Sequence, residues 1–276
     1  MNNKEIICKL TLKKGKFVKS HLLPRALTNL HKTQESRIEI DFQGKNRIAH
    51  DSWYDYNLCT EEGEKILSKL DEFGIEELRE HNLTWDSWGI HKKLRETTSQ
   101  GIELIDGEDG IRVVKFSDLL KIKIFFLSLL WRVSASNRKE MEHVSLTEDE
   151  IEKLRLIINE KQVELVDYFP ITLIQLSTKG PIHNRVPYTE FVEFEEEAII
   201  AKQARIYIDG LIIRISINIK NKNLSLMDAK DKNSLIICKC YDESLQKVQI
   251  EALVEAHTNP LSIFKQKDIC LAISNF

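Results

Sequence analysis

Residues 15–27 read GKFVKSHLLPRAL. An alternating basic and apolar run leads into Ser20 and His21, two leucines and Pro24, which reads as a strand ending on a histidine and closed by a proline. Upstream, residues 5–20 predict a β-hairpin turning at Lys13–Gly15, with Gly15 supplying the positive φ of a tight turn. Downstream, residues 22–31 predict a short helix with Pro24 in its first turn. Lys16, Lys19 and Arg25 surround His21 in this segment. Residues 1–50 carry eleven Lys and Arg against four Asp and Glu, a balance of +7. The rest of a chain with net charge −3 therefore carries −10. A basic front end on an acidic body is what an N-terminal segment that meets phosphate requires, and DNA or RNA is the expected partner.

The wider composition bounds the class. Of 276 residues, 42% are apolar, enough for a core, and the 30% that are charged predict a solvated surface. The longest apolar run, Ile124 to Trp131, is interrupted by Ser128 and flanked by Lys123 and Arg132, too short for a membrane span. The N-terminus lacks a secretory apolar stretch, so the expected location is the cytoplasm. Cys8, Cys59, Cys238, Cys240 and Cys270 are odd in number and irregular in spacing, unlike a disulfide framework. Cys238 and Cys240 would share one face of a strand.

Further along, Arg37–Phe42 alternates as a strand. Thr60 is a candidate N-cap for a helix over 61–81 that Gly74 would kink or interrupt. An aromatic connector at 83–93 carries Trp85 and Trp88, which are expected to pack against the central helix rather than stack on bases. Two strands flank the turn-rich DGEDG, and 118–136 predicts a helix apolar on nearly every side. Thr147 and Glu150 form a capping box for a helix over 148–159. Residues 162–245 alternate as strands of an antiparallel sheet, with a hairpin at Asp209–Gly210. The segment 193–197 is expected to be a solvated loop or a helix start, and the stretch STKGPIHN (177–184), with Lys179, His183 and Asn184, a surface loop. Asp209, Asp228 and Lys230 form only a faint acidic-acidic-lysine pattern.

Three blocks together resemble a bacterial family of HNH-like, treble-clef proteins. Ser20, His21, Leu22, Leu23 and Pro24 are similar to the family's Ser-His-aliphatic-aliphatic-Pro strand. Glu64, Ser68 and Asp71 in YNLCTEEGEKILSKLDEF (56–73) match its following helix, and Ser128, Trp131 and Arg132 its Ser-x-x-Trp-Arg helix. The resemblance implies a hairpin-and-helix module in which His21 acts as general base on water while a divalent metal, Mg²⁺ or Mn²⁺, stabilises charge on phosphate. It also implies two zinc knuckles, of which only Cys8 and Cys59 remain. Thr11 and Gly63 stand where their partners should be, and two thiolates do not close a structural zinc site. Ser20 stands where many active enzymes of this kind carry an Asp metal ligand, and Asn29 and His31 are the nearby candidates to complete a metal site.

The expected fold is α+β, with an HNH-like module at 1–82, a helical core segment at 83–160 and an antiparallel β-rich region at 161–276, all three compatible with one continuous domain. Two functions follow. The first is a metal-dependent nucleic-acid endonuclease, linked by analogy to bacterial anti-phage defence, with His21 as base and Lys16, Lys19 and Arg25 on phosphates. The second is a non-catalytic nucleic-acid-binding or scaffold protein that keeps a decayed module, with a protein partner or a second copy as further candidates.

Overall fold

Pro24 ends the first strand and starts the first helix, because its carbonyl accepts from the Leu27 and Thr28 amides while its own nitrogen has no proton to give. The computed structural model describes residues 7–28, 37–41, 46–49, 52–94, 102–105, 109–180, 183–194, 199–219, 225–228 and 234–241. Strand β1 (Ser20–His21) leads into α1 (Arg25–Thr28), then β2 (Arg37–Ile40), β3 (Asn46–Ala49) and β4 (Tyr54–Asp55). Helix α2 (Glu61–Glu80) is followed by β5 (Ile102–Ile105) and β6 (Asp109–Val114), then by α3 (Leu119–Ala135) and α4 (Glu148–Arg155). The remainder is β7 (Ile171–Leu176), β8 (His183–Arg185), β9 (Tyr188–Phe194), β10 (Ile199–Ile208), β11 (Leu211–Ser216) and β12 (Ser234–Lys239).

A seven-stranded sheet runs β5-β6-β12-β7-β11-β10-β9. It is mixed, not antiparallel as the sequence predicts, because β12 inserts between β6 and β7 and runs parallel to β7. Nor is it confined to the C-terminal third, since β5 and β6, the two strands expected on either side of DGEDG, join it. Alternation establishes that a strand exists but says nothing about its neighbour's direction. Ile171, Leu173, Ile206, Ile208, Leu211, Ile213 and Ile236 project from one face into a core shared with α3, and the same core reaches Cys8, Leu22 and Leu23. The other face holds Leu176, Tyr207 and Ile212 against Ile40, Trp85, Trp88 and Tyr241. Both faces being covered accounts for near-continuous apolar strands such as LIIRIS. The tryptophans thus lie across the sheet from α3, correcting their expected place; Trp85 Nε1 donates to Leu176 O and Trp88 Nε1 to Asn82 O.

Helix α3 is buried on nearly every side, as its composition demands, and packs against α2 and α4. Its Asp118 N-cap accepts from the Lys121 amide, and α4 carries the reciprocal Thr147–Glu150 box. Helix α2 begins after Thr60, whose hydroxyl makes no capping bond; Glu61, Glu62 and Glu64 face the helix N-terminus instead. Gly74 does not interrupt α2, which is continuous over Glu61–Glu80; a Cβ there would fall 2.3 Å from the Phe125 ring, so glycine is present to admit the aromatic side chain.

Three other local expectations are corrected. The hairpin at 5–20 is replaced, over its described residues, by a tight turn in which Leu12 N donates to Cys8 O and Cys8 N to Lys13 O. Leu12, at φ 57, takes the left-handed conformation expected of Gly15, whose small size instead lets Thr60 approach. His183 and Asn184 are buried in β8, parallel to β2, rather than in a surface loop; β2 offered an unpaired edge that no local pattern discloses. Glu193 lies in β9 and residues 195–198 lie outside the described residues. Among the described residues no helix is long and apolar enough to cross a membrane.

Candidate functional site

Cys8 and Cys59, 51 residues apart in the sequence, are brought together. Cys8 enters from the N-terminal turn and Cys59 from the residue pair before α2, and both are fully buried. Cys8 Sγ accepts from the Thr11 and Thr60 amides at 3.5 Å each. A Cβ on Gly63 would lie 2.9 Å from Cys8 Sγ and 3.4 Å from Cys59 Sγ. Thr11, Gly63 and the two sulfurs therefore occupy one corner of the molecule, but only two are thiolate donors, so the residues present do not fit a closed tetrahedral zinc site. The neighbouring Cys59 holds the Cys8 pKa below the ordinary thiol range, while proximity to Cys8 together with burial pushes that of Cys59 up.

The remaining motif residues form a buried lattice behind β1. Arg132, 1% exposed, reaches from α3 to grip Asp71 of α2 with both terminal nitrogens, Nη1 at 2.9 Å. Its Nη2 also touches Ser128 Oγ at 3.3 Å, and Nη1 lies 3.4 Å from the His21 carbonyl oxygen. Ser20 is fully buried on the side of β1 facing Glu64. Burial raises the pKa of Glu64, while the Ser20 hydroxyl and Arg132 hold it back. Ser20 and His21 are consecutive in β1, so their side chains project to opposite faces of the strand. Asn29 and His31, the other metal candidates, lie outside the described residues, as do Lys230 and Cys270. Among the described residues no three His, Cys, Asp or Glu side chains gather as a metal site would.

On the outer side, β1 pairs with β4 so that His21 is opposite Tyr54. The His21 and Tyr54 rings are 6.4 Å apart edge to face, and Tyr54 meets Tyr56 at 5.4 Å. Lys19 Nζ lies 4.1 Å over the Tyr54 ring and Arg138 Cζ 5.7 Å from it. The loop carrying Arg138 is tied down, because Ser136 Oγ and the Asn137 amide both donate to Asp55 of β4. Tyr56 is 58% exposed at the edge of this patch.

Compared with known proteins, the chain matches no family model, no curated sequence and no solved structure.

Of the expected phosphate contacts, Lys19 belongs to the aromatic face and Arg25 is exposed on the first turn of α1. Lys16, although exposed, is paired with Glu61 at 2.8 Å, and Lys13 with Glu62 at 2.8 Å, so the acidic start of α2 neutralises part of the basic front end. Tyr54, Tyr56 and Arg138 were missed in the sequence. The first two carry a signal in the aromatic run WYDY at 53–56, whereas Arg138 joins only through the tertiary bond of its loop to Asp55. Asp209 is the first residue of the β10–β11 turn, its carboxylate accepting from the Asp86 amide at 2.7 Å, and Asp228 ends a short 3₁₀ turn. Cys238 and Cys240 are both buried, with Cys240 Sγ 3.5 Å from Thr178 Oγ1.

Proposed function

We propose that this chain is a nucleic-acid-binding protein of HNH ancestry that engages a strand through the outer face of β1 and β4. The observation that carries this reading is the aromatic surface of His21, Tyr54 and Tyr56, with Lys19 over Tyr54 and Arg138, itself paired with Glu140 at 2.7 Å, beside it. Bases stack on exposed aromatic rings, and flanking cations follow the phosphates. The treble-clef ancestry is supported by the convergence of Cys8, Thr11, Cys59 and Gly63 at the start of α2. The test is fluorescence anisotropy with labelled single- and double-stranded oligonucleotides across a salt series. Tyr56→Ala is expected to weaken single-strand binding by roughly 5- to 150-fold, the equivalent of about 1–3 kcal/mol per stacked base. Lys19→Ala is expected to lower the slope of log K against log salt by about 0.7. Binding that neither variant alters overturns the reading.

A second reading, phosphodiester hydrolysis with His21 taking a proton from water, is favoured by one feature. The His21 side chain is half-buried at the edge of this face while Arg132 holds its backbone from behind. Plasmid, linear and single-stranded substrates with Mg²⁺ or Mn²⁺ test it against His21→Ala. Cutting lost in the variant supports it; equal cutting by both proteins, or none with binding intact, refutes it.

A further inference from the structure

Three arginines converge on the face of the large sheet opposite α3. Arg205 of β10 is directly across from Arg214 of β11 on one side and from Tyr188 of β9 on the other. Strand β8 lies over this face, since the His183 ring stacks on Tyr207 at 4.5 Å and 12°. It brings in Arg185, whose Cζ is 5.3 Å from the Tyr188 ring centre, while Arg205 Cζ is 5.8 Å from the same ring. Arg185 and Arg205 are 9% and 6% exposed.

Such a grouping is costly unless something answers it, because each buried guanidinium has given up hydration and each repels its neighbours. Neither Arg185 nor Arg214 makes an ion pair among the described residues, and the Nε of each is buried with no hydrogen-bond partner there. Burial, and then the Arg205 charge, pulls the Arg185 pKa down to about 10. Arg205 is lowered by burial and also by Arg214. Glu190 is the carboxylate whose field opposes both shifts. Gln203, next along this face and across from Glu190, keeps a buried Oε1 with no donor among the described residues.

We propose that Arg185, Arg205 and Arg214 form a binding site for a phosphate monoester. Arg185 and Arg214, neither of which makes an ion pair among the described residues, bring two charges, which match a dianionic monoester better than a single carboxylate. Planar guanidinium forks suit phosphate oxygens, and Gln203 Oε1 accepts from a hydroxyl on the ligand or on a protonated phosphate. The site shares no residue with the His21 face, so it stands or falls independently of the reading given for that face.

The experiment is calorimetric titration and thermal unfolding of the full chain with four probes: inorganic phosphate, AMP, and one oligonucleotide in 5′-phosphorylated and 5′-hydroxyl forms. Chloride at matched ionic strength is the baseline. Wild type is expected to bind at least one phosphate-bearing probe and to unfold at a higher temperature in its presence. Arg205→Met and Arg214→Gln are expected to bind at least about 30-fold more weakly. Arg205→Met is first checked for folding without ligand. Should it fail to fold, the partly exposed Arg214→Gln carries the comparison. A response to AMP but to neither oligonucleotide identifies a small-molecule ligand. A response to the 5′-phosphorylated but not the 5′-hydroxyl oligonucleotide identifies a nucleic-acid end. Both support the site. No response of wild type to any phosphate-bearing probe, or an equal response in both variants, overturns it.

Discussion

Asp209→Asn isolates the energetic cost of a single buried carboxyl. Asp209 is 4% exposed, at φ 40 in the β10–β11 turn, with Gly210 following at φ 85. Burial lifts its pKa from 3.8 to about 7, against the partial help of the Asp86 amide and of Lys179 and Arg79. The folded state thus holds a proton that the unfolded chain has released, and stability falls as pH rises from about 4 through 7 and levels off above. Three units at about 1.36 kcal/mol each set the full cost near 4 kcal/mol, of which about 2–3 kcal/mol accrues between pH 5 and pH 8. Asparagine keeps an oxygen for the Asp86 amide, tolerates the left-handed turn and cannot ionise. Urea unfolding of both proteins from pH 5 to 8.5 should show the variant gaining on wild type as pH rises, with other titrating groups cancelling in the difference. Parallel stability curves would refute the argument, because they would mean that Asp209 ionises in the folded protein as readily as in the unfolded chain.

Three other perturbations test the frame around the site. Arg132→Ala leaves Asp71 without its partner and the His21 carbonyl without its donor, and is expected to cost about 3–5 kcal/mol in urea unfolding; a loss below about 1 kcal/mol removes the lattice from the account. Gly74→Ala places a methyl 2.3 Å from the Phe125 ring and should cost about 1–3 kcal/mol, with partial recovery on adding Phe125→Leu; equal unfolding midpoints for the single variant and wild type would contradict the packing. Thr11→Cys with Gly63→Cys places four thiols around the Cys8–Cys59 corner, which should widen to take up one zinc per chain, with a rise in unfolding temperature that a chelator reverses; zinc bound at wild-type level in the double variant argues against a knuckle geometry.

Much of the fold is legible in the sequence where the determining interactions are local. The Thr147–Glu150 box, the Asp209–Gly210 hairpin and the 3.6-residue pattern of α2 each depend on residues a few positions apart, so their spacing suffices. The all-round apolar run of 119–135 could only be a buried helix. The reason for Gly74 was not legible, because the Phe125 ring comes from another helix. At the site, His21, Lys19 and the paired cysteines were visible as residue types, whereas the pairing of Lys16 with Glu61 and the arrival of Arg138 beside Tyr54 were not.

By itself, then, the amino-acid order determined which segments coil, which extend and which must be buried, since propensity, periodicity and capping act over a few residues. Only the tertiary structure decided that β12 runs parallel between β6 and β7, that His183 and Arg185 leave the surface for a strand against β2, and that Arg185, Arg205 and Arg214 share one face. Those outcomes depend on which apolar faces find each other across long stretches of chain. Burial of that kind is non-directional, so it leaves no mark at any fixed spacing in the sequence.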